Sequence, residues 1–281
     1  MNNLSFDPHK TWAFLIGNWK FQEDSQLPNL PAVENNLTSL KEILIDPLIL
    51  GIPKDKIISL KNQSDILQNF ITTFPKPVET LIVYYAGHGL CENTNLSLAL
   101  PNSLYDDADT GLAFDKLWKK ITNKATNIIL ILDCCFSGKA FNAITKQDRR
   151  NIVVLTATDK ANLASSPKNW GKTAFTEHFI QTLKQGVRNH QPFLTLKDIF
   201  DVLKETLVKG NFPKPSENEF LDHSPFYCFH NLGFNPNIPF VEIEEVESKL
   251  LVIQNFTAKG LIHEIVAQQL QLKVMSTMLK L

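Results

Sequence analysis

Apolar runs of strand length alternate along most of the chain with segments whose apolar positions recur every three to four residues. Trp12 to Gly17 predicts a first buried strand. Pro31 to Ile45, with Leu37, Leu40 and Leu44 at helical spacing, predicts an amphipathic helix that closes before Asp46-Pro47, and Lys56 to Leu60 a short second strand. A helix from Ser64, with Ile66, Phe70 and Ile71 as its apolar stripe, is stopped by Pro75 and Pro77. Leu81 to Ala86 reads as a third strand and Leu96 to Leu100 as a small extra one. A helix containing Leu112, Leu117, Trp118 and Ile121 precedes a strand at Asn127 to Leu132. Ile152 to Ala157, helices over Phe175 to Leu183 and Thr195 to Val208, and a last strand at Pro225 to Phe229 complete the series. Such alternation predicts an α/β fold: a mostly parallel six-stranded sheet with helices on both faces.

After Phe234-Asn-Pro-Asn-Ile-Pro239 the alternation stops, and Ser248 to Phe256 and Ile262 to Leu281 carry helical periodicity alone. We therefore expect two parts, a main domain over residues 10–235 and a helical appendage over residues 240–281. The appendage is expected to pack on the domain, to dock a regulatory protein partner or to hold the main domain inactive.

Composition narrows the functional classes. Apolar residues make up 43% of the chain and charged residues 20%, values of an ordinary globular protein with a core. With 28 Lys+Arg against 29 Asp+Glu there is no basic field for nucleic acid and no polybasic membrane anchor. No apolar run reaches the length of a membrane span, and the start of the chain has no signal-peptide core, so the expected setting is cytoplasmic. The four cysteines, Cys91, Cys134, Cys135 and Cys228, include an adjacent pair, a poor basis for a disulfide framework.

Two of the strands stop at reactive residues. Leu81-Ile-Val-Tyr-Tyr-Ala-Gly-His88-Gly89 ends in an imidazole, and Asn127-Ile-Ile-Leu-Ile-Leu-Asp133-Cys134-Cys135-Phe136-Ser137-Gly138 ends in thiols. In a parallel sheet, reactive groups collect beyond the carboxyl ends of the strands, which places His88 and a cysteine in one crevice if the strands are neighbours. A thiol attacks a carbonyl as thiolate, and a histidine supplies the base and then protonates the leaving amine. Because successive strand side chains point to opposite faces, only one of Cys134 and Cys135 faces the cleft; Cys135, nearer the turn, is the expected nucleophile and Cys134 a core thiol. The Gly89 and Cys135 amides are the expected oxyanion donors. Gly89, Ser137 and Gly138 are expected to leave room for a substrate chain to approach the backbone.

The motifs Tyr85-Ala-Gly-His88-Gly89 and Asp133-Cys134-Cys135-Phe136-Ser137-Gly138 resemble those of the caspase and metacaspase superfamily of cysteine peptidases (peptidase C14, clan CD), closest to bacterial effector-associated types. Cys135 follows His88 by 47 positions, near the roughly 50 of caspases. Phe14-Leu-Ile-Gly17, Leu30-Pro-Ala-Val-Glu-Asn35-Asn36-Leu37 and Trp170-Gly171-Lys-Thr-Ala-Phe175-Thr176 add supporting matches. The resemblance implies a caspase-hemoglobinase three-layer sandwich and a cofactor-free endopeptidase acting on protein substrates through a His88/Cys135 dyad. It also implies a bacterial defence or signalling role, and Asp133 as the pocket anion that favours Arg or Lys at P1. Asn36 stands where metacaspases place a second pocket aspartate and Ala86 where some have serine, so the expected pocket is less acidic than the family pattern.

Competing readings of the same residues are weaker. A metal site from His88, Cys91, Cys134 and Cys135 would need adjacent cysteines on opposite strand faces to converge. Asp106, Asp107 and Asp109 are the only candidate for calcium activation and lack the EF-hand pattern, so they read as a polar turn. Arg149-Arg150 is a candidate self-cleavage site whose plainer reading is a solvated loop, and the remaining histidines show no ligand spacing. A different class of function, a catalytically silent caspase-fold interaction module, is opposed by the intact His88, Cys135 and flanking glycines.

Overall fold

The structure is a computed structural model that describes residues 4–144, 151–158, 171–189, 191–221, 225–235, 243–259, 266 and 268–271. Its elements are β1 (Thr11–Gly17), α1 (Ala32–Ile45), β2 (Ile57–Lys61), α2 (Ile66–Thr73), β3 (Val78–Ala86), β4 (Gly89–Glu92), β5 (Asn95–Leu98), β6 (Leu112–Ala113), α3 (Phe114–Thr122), β7 (Ala125–Asp133), β8 (Asn151–Thr156), α4 (Ala174–Gln185), β9 (Phe193–Thr195), α5 (Leu196–Lys209), β10 (Ser216–Phe220), β11 (Tyr227–His230) and α6 (Ile243–Ala258).

Six strands form the main sheet in the order β10-β8-β7-β3-β1-β2. β1, β2, β3, β7 and β8 run parallel, and β10 is antiparallel to β8. Because side chains alternate, each central strand serves two cores. Ala13, Leu15, Ile82, Tyr84, Ile129 and Ile131 face the layer made by α1, α4 and α5, through Val33, Leu37, Phe179, Leu183 and Leu203. Phe14, Ile16, Val83, Tyr85, Ile128 and Leu130 face α2 and α3, through Phe70, Leu117, Trp118 and Ile121. Strands buried on both faces explain the uninterrupted apolar runs in the sequence. Burial of each such large side chain contributes about 1.5–3 kcal/mol.

Two expectations are corrected. The sixth strand of the main sheet is Ser216–Phe220, while Tyr227–His230 pairs with Phe193–Thr195 in a separate two-stranded sheet. Ser-Glu-Asn-Glu-Phe carries no strand-like apolar pattern because an edge strand with one neighbour tolerates charge. Leu112 belongs to β6 and not to the following helix; β6 completes a small sheet in the order β4-β5-β6 that contains the short strand expected near Leu96.

The chain divides into two compact units, residues 1–187 with 192–233, and residues 188–191 with 234–281. The first holds the main sheet and α1 to α5. The second contains α6; residues 266 and 268–271 are also helical, and the rest of the expected helix from Ile262 to Leu281 lies outside the described residues. Among the described residues no helix is long and apolar enough to cross a membrane.

Candidate active site

β3 and β7 are parallel neighbours paired from Val78 with Ala125 to Ala86 with Asp133, so the histidine and cysteine segments leave the sheet side by side at its carboxyl end. The Gly87 amide donates to the Asp133 carbonyl at 3.4 Å. Beyond it the two backbones touch: a β-carbon on Gly89 would stand 1.9 Å from the Cys135 carbonyl oxygen and 3.3 Å from the Cys134 sulfur. Only glycine fits there, and its place is what brings the chain bearing His88 against the chain bearing Cys135.

His88 is half-buried, with its Nε2 2.8 Å from the Pro28 carbonyl oxygen and its ring 5.0 Å from that of Phe21. A carbonyl only accepts, so Nε2 carries the proton in the neutral ring and Nδ1 keeps the lone pair. Burial pushes the imidazole below the ordinary histidine value, and the Pro28 hydrogen bond partly opposes it. The ring is thereby held as a neutral base. Its backbone is fixed as well: the His88 carbonyl accepts from the Tyr85 hydroxyl at 2.9 Å and from the Ala99 amide at 3.0 Å. The role of Pro28 had no signal in the sequence, since a loop carbonyl from a distant segment has no residue-type signature.

The two thiols differ in burial, although both lie just past the end of β7 at Asp133 and strand alternation does not reach them. Cys134 is fully buried, and its thiol is pushed well up by burial, with the neighbouring Cys135 and Asp133 adding to it; Cys135 is half-buried. The chain then turns through Phe136 in the left-handed region, at φ 56°, into a 3-10 turn at Ser137–Asn142. Ser137 and Gly138 do not line open space, contrary to expectation. Both are buried, and the Ser137 hydroxyl accepts from the Thr158 amide at 3.2 Å, which ties the cysteine loop to the end of β8. A hydroxyl that packs inward cannot also serve as clearance for a substrate.

Asp133 is buried at the strand end among donors. Its Oδ2 accepts from the hydroxyls of Thr173 and Thr176, the latter at 2.6 Å, from Asn36 Nδ2 at 3.2 Å and from the Tyr84 hydroxyl at 3.4 Å. Its Oδ1 has no hydrogen bond among the described residues. Burial raises the carboxyl above its ordinary range, while the Thr173, Thr176 and Tyr84 hydrogen bonds pull it back. Asn36 is fixed in orientation, because its Oδ1 accepts from the Thr173 amide at 3.2 Å and its amide nitrogen donates to Asp133. Thr173 also caps α4 by accepting from Thr176. The Thr-x-x-Thr spacing ahead of an apolar helix was visible as a cap signal, but not as a carboxylate cradle.

The other candidates separate. Asp107 accepts from the Asp109 amide at 3.0 Å within a polar turn, and among the described residues no group of three His, Cys, Asp or Glu side chains is placed to hold a metal ion. None of the four cysteines is in a disulfide. His178 and His230 pack against Phe212 and Phe193. Lys146, Arg149, Arg150, Trp170, His190, His223 and His263 lie outside the described residues.

The solved structure of a Geobacter sulfurreducens protein superposes with a TM-score of 0.55 at 12% identity, covering 80% of this chain and 98% of that one. Caspase-1 from Spodoptera frugiperda gives 0.51 at 11% identity, over 77% and 89%. At these identities the likeness is one of fold. In sequence, a paracaspase of Dictyostelium discoideum is 26% identical over 209 residues, 70% of this chain and 49% of the relative, so the chain spans about half that protein's length. Residues 10–230 match the family model of the caspase domain, Peptidase C14, and with its mostly parallel six-stranded sheet and paired strand ends this chain belongs to that family of peptidases.

Proposed function

We propose that this protein is a cysteine endopeptidase that cleaves protein substrates through an acyl-enzyme on Cys135. The observation that carries the reading is the backbone contact of Gly89 with Cys135, which sets the imidazole-bearing and thiol-bearing segments together at the carboxyl ends of adjacent parallel strands. In this reading His88, with Nε2 committed to Pro28, uses Nδ1 to take the Cys135 proton and later delivers it to the leaving amine. The Cys135 sulfur attacks the scissile carbonyl, the amides of Gly89 and Cys135 hold the oxyanion, and water then releases the acid product. No step draws on a cofactor.

Preference for Arg or Lys at P1 follows from Asp133. Its buried Oδ1 lacks a hydrogen bond among the described residues, and a cation arriving beside it would offset the cost of its burial. The natural substrate is a protein chain, the setting cytoplasmic, and the biological role that of an effector in bacterial defence or signalling, which rests on the resemblance of the motifs. Domain limits of 10–235 and 240–281, with the second part as a docking element for a regulatory protein, complete the proposal.

Turnover of a P1-diverse fluorogenic peptide library by wild type and Cys135→Ala, with and without calcium, tests it. Cys135-dependent cleavage after Arg or Lys is expected. Absence of turnover under both conditions, with Cys135 no faster in alkylation than Cys91, would favour a silent interaction module.

A further inference from the structure

We propose that Cys91 and Lys139 form an oxidative modification site, a thiol–amine pair that hydrogen peroxide converts into a covalent S–N bridge. Lys139 Nζ lies 2.7 Å from Cys91 Sγ and 2.6 Å from the Asn93 carbonyl oxygen, to which the Cys91 thiol also donates at 3.4 Å. The lysine is held in place: it leaves the 3-10 turn just after the cysteine loop, its ammonium sits 5.8 Å from the centre of the Phe136 ring, and its own amide donates to the Phe136 carbonyl at 2.8 Å. The same turn is fastened to the β4–β5 hairpin by Asn142, whose Nδ2 donates to the Thr94 carbonyl at 2.6 Å.

The pair is reachable by a small oxidant. Cys91 and Lys139 are each half-buried, and cavities of about 200 Å³ beside Cys91 and about 280 Å³ beside Lys139 flank them. Cys134 and Cys228, by contrast, are fully buried, and burial raises both thiols well above their ordinary value, so neither supplies a ready thiolate.

The chemistry closes without further reagents. Peroxide oxidises the Cys91 thiol to sulfenic acid and is itself reduced to water. The neutral Lys139 amine, its ammonium proton lost to solvent, then attacks the sulfenic sulfur; the S–N bond forms, the S–O bond breaks, and the hydroxyl leaves as water with an amine hydrogen. Two thiols of dithiothreitol reverse the bridge, returning thiol and amine while they close into a disulfide. Such a bridge links β4, which begins at Gly89, to the 3-10 turn that follows Cys135 and Phe136, and so ties together the two segments that carry the proposed reaction.

The experiment treats full-length Cys135→Ala protein with hydrogen peroxide, which leaves Cys91 as the thiol that is not fully buried, and sequences the digested peptides by mass spectrometry. The expected product joins the Cys91 and Lys139 peptides, is lighter than their sum by two hydrogens, and disappears with dithiothreitol. Lys139→Gln is expected to lose the linked species and to yield a Cys91 sulfenic acid that dimedone traps. Lys139→Arg, which keeps the charge, is expected to behave the same way. Sulfinic or sulfonic acid at Cys91 with a free Lys139 peptide, or an unoxidised Cys91 in the folded protein, would overturn the proposal.

Discussion

Gly89 and Cys135 touch through their main chains, with no room for a β-carbon between Gly89 and the Cys135 carbonyl. The histidine loop and the cysteine loop are thus positioned by backbone packing, and side-chain chemistry is added to a frame already set. Gly89→Ala is expected to force these loops apart, with about 1–3 kcal/mol lost in urea unfolding and near-complete loss of peptide turnover. An alanine variant of full activity would remove this contact from the account.

The two adjacent thiols should separate in function. Cys135→Ala is expected to lower turnover at least about 10³-fold, the scale of removing a nucleophile. Cys134→Ala should keep most activity and lose about 1–2 kcal/mol, since Cys134 is a fully buried apolar-core side chain. Parallel kinetics and denaturation on both variants decide it, and the reverse pattern would reassign the nucleophile.

Asp133→Asn replaces a buried carboxylate by an amide of the same shape. Cleavage after Arg or Lys should fall about 10–100-fold in kcat/KM relative to uncharged P1 residues. Stability should not fall, because burial already works against the charged form of Asp133. An unchanged P1 profile from the peptide library would show that the pocket anion lies elsewhere.

Glu219 on β10 faces the core side beside Val153, its register partner, and has a buried Oε1 without a hydrogen bond among the described residues. Burial, then the charges of Glu217 and Asp198, push its carboxyl from 4.5 up to about 7, with Lys197 opposing. The folded state therefore holds this proton more tightly than the unfolded chain. Its contribution to stability is full below pH 4.5 and is lost as pH rises through about 7. Unfolding of wild type and Glu219→Gln across that window should show wild type alone losing roughly 1–2 kcal/mol, a modest figure because the group is half exposed and solvent screens it. Equal pH slopes for the two proteins would refute this.

Much of the fold was legible because strands buried on both faces must be apolar throughout. Trp12 to Gly17, Leu81 to Ala86 and Ile152 to Ala157 announce themselves for that reason, and so do the periodic stripes of α1 and α3. The edge strand Ser216–Phe220 was not legible. Its carboxylates face a half-covered layer that only the placement of α5 creates, whereas the apolar run Pro225 to Phe229 reads as a main-sheet strand and in the structure Tyr227–His230 pairs with β9 instead.

For the site, local chemistry and tertiary placement divide cleanly. Sequence by itself determined where the candidate groups stand, an imidazole and a pair of thiols just past the ends of strand-length apolar runs, because runs buried on both faces stop where the chain leaves the sheet. Only the tertiary structure decided which groups surround them. The Pro28 carbonyl on His88, the Thr173 and Thr176 hydroxyls on Asp133, the inward Ser137 and the Lys139 contact with Cys91 all join residues far apart in the chain. Such contacts depend on how helices and loops pack over the sheet, and hydrogen bonds between distant segments leave no periodicity or spacing in the sequence from which to read them.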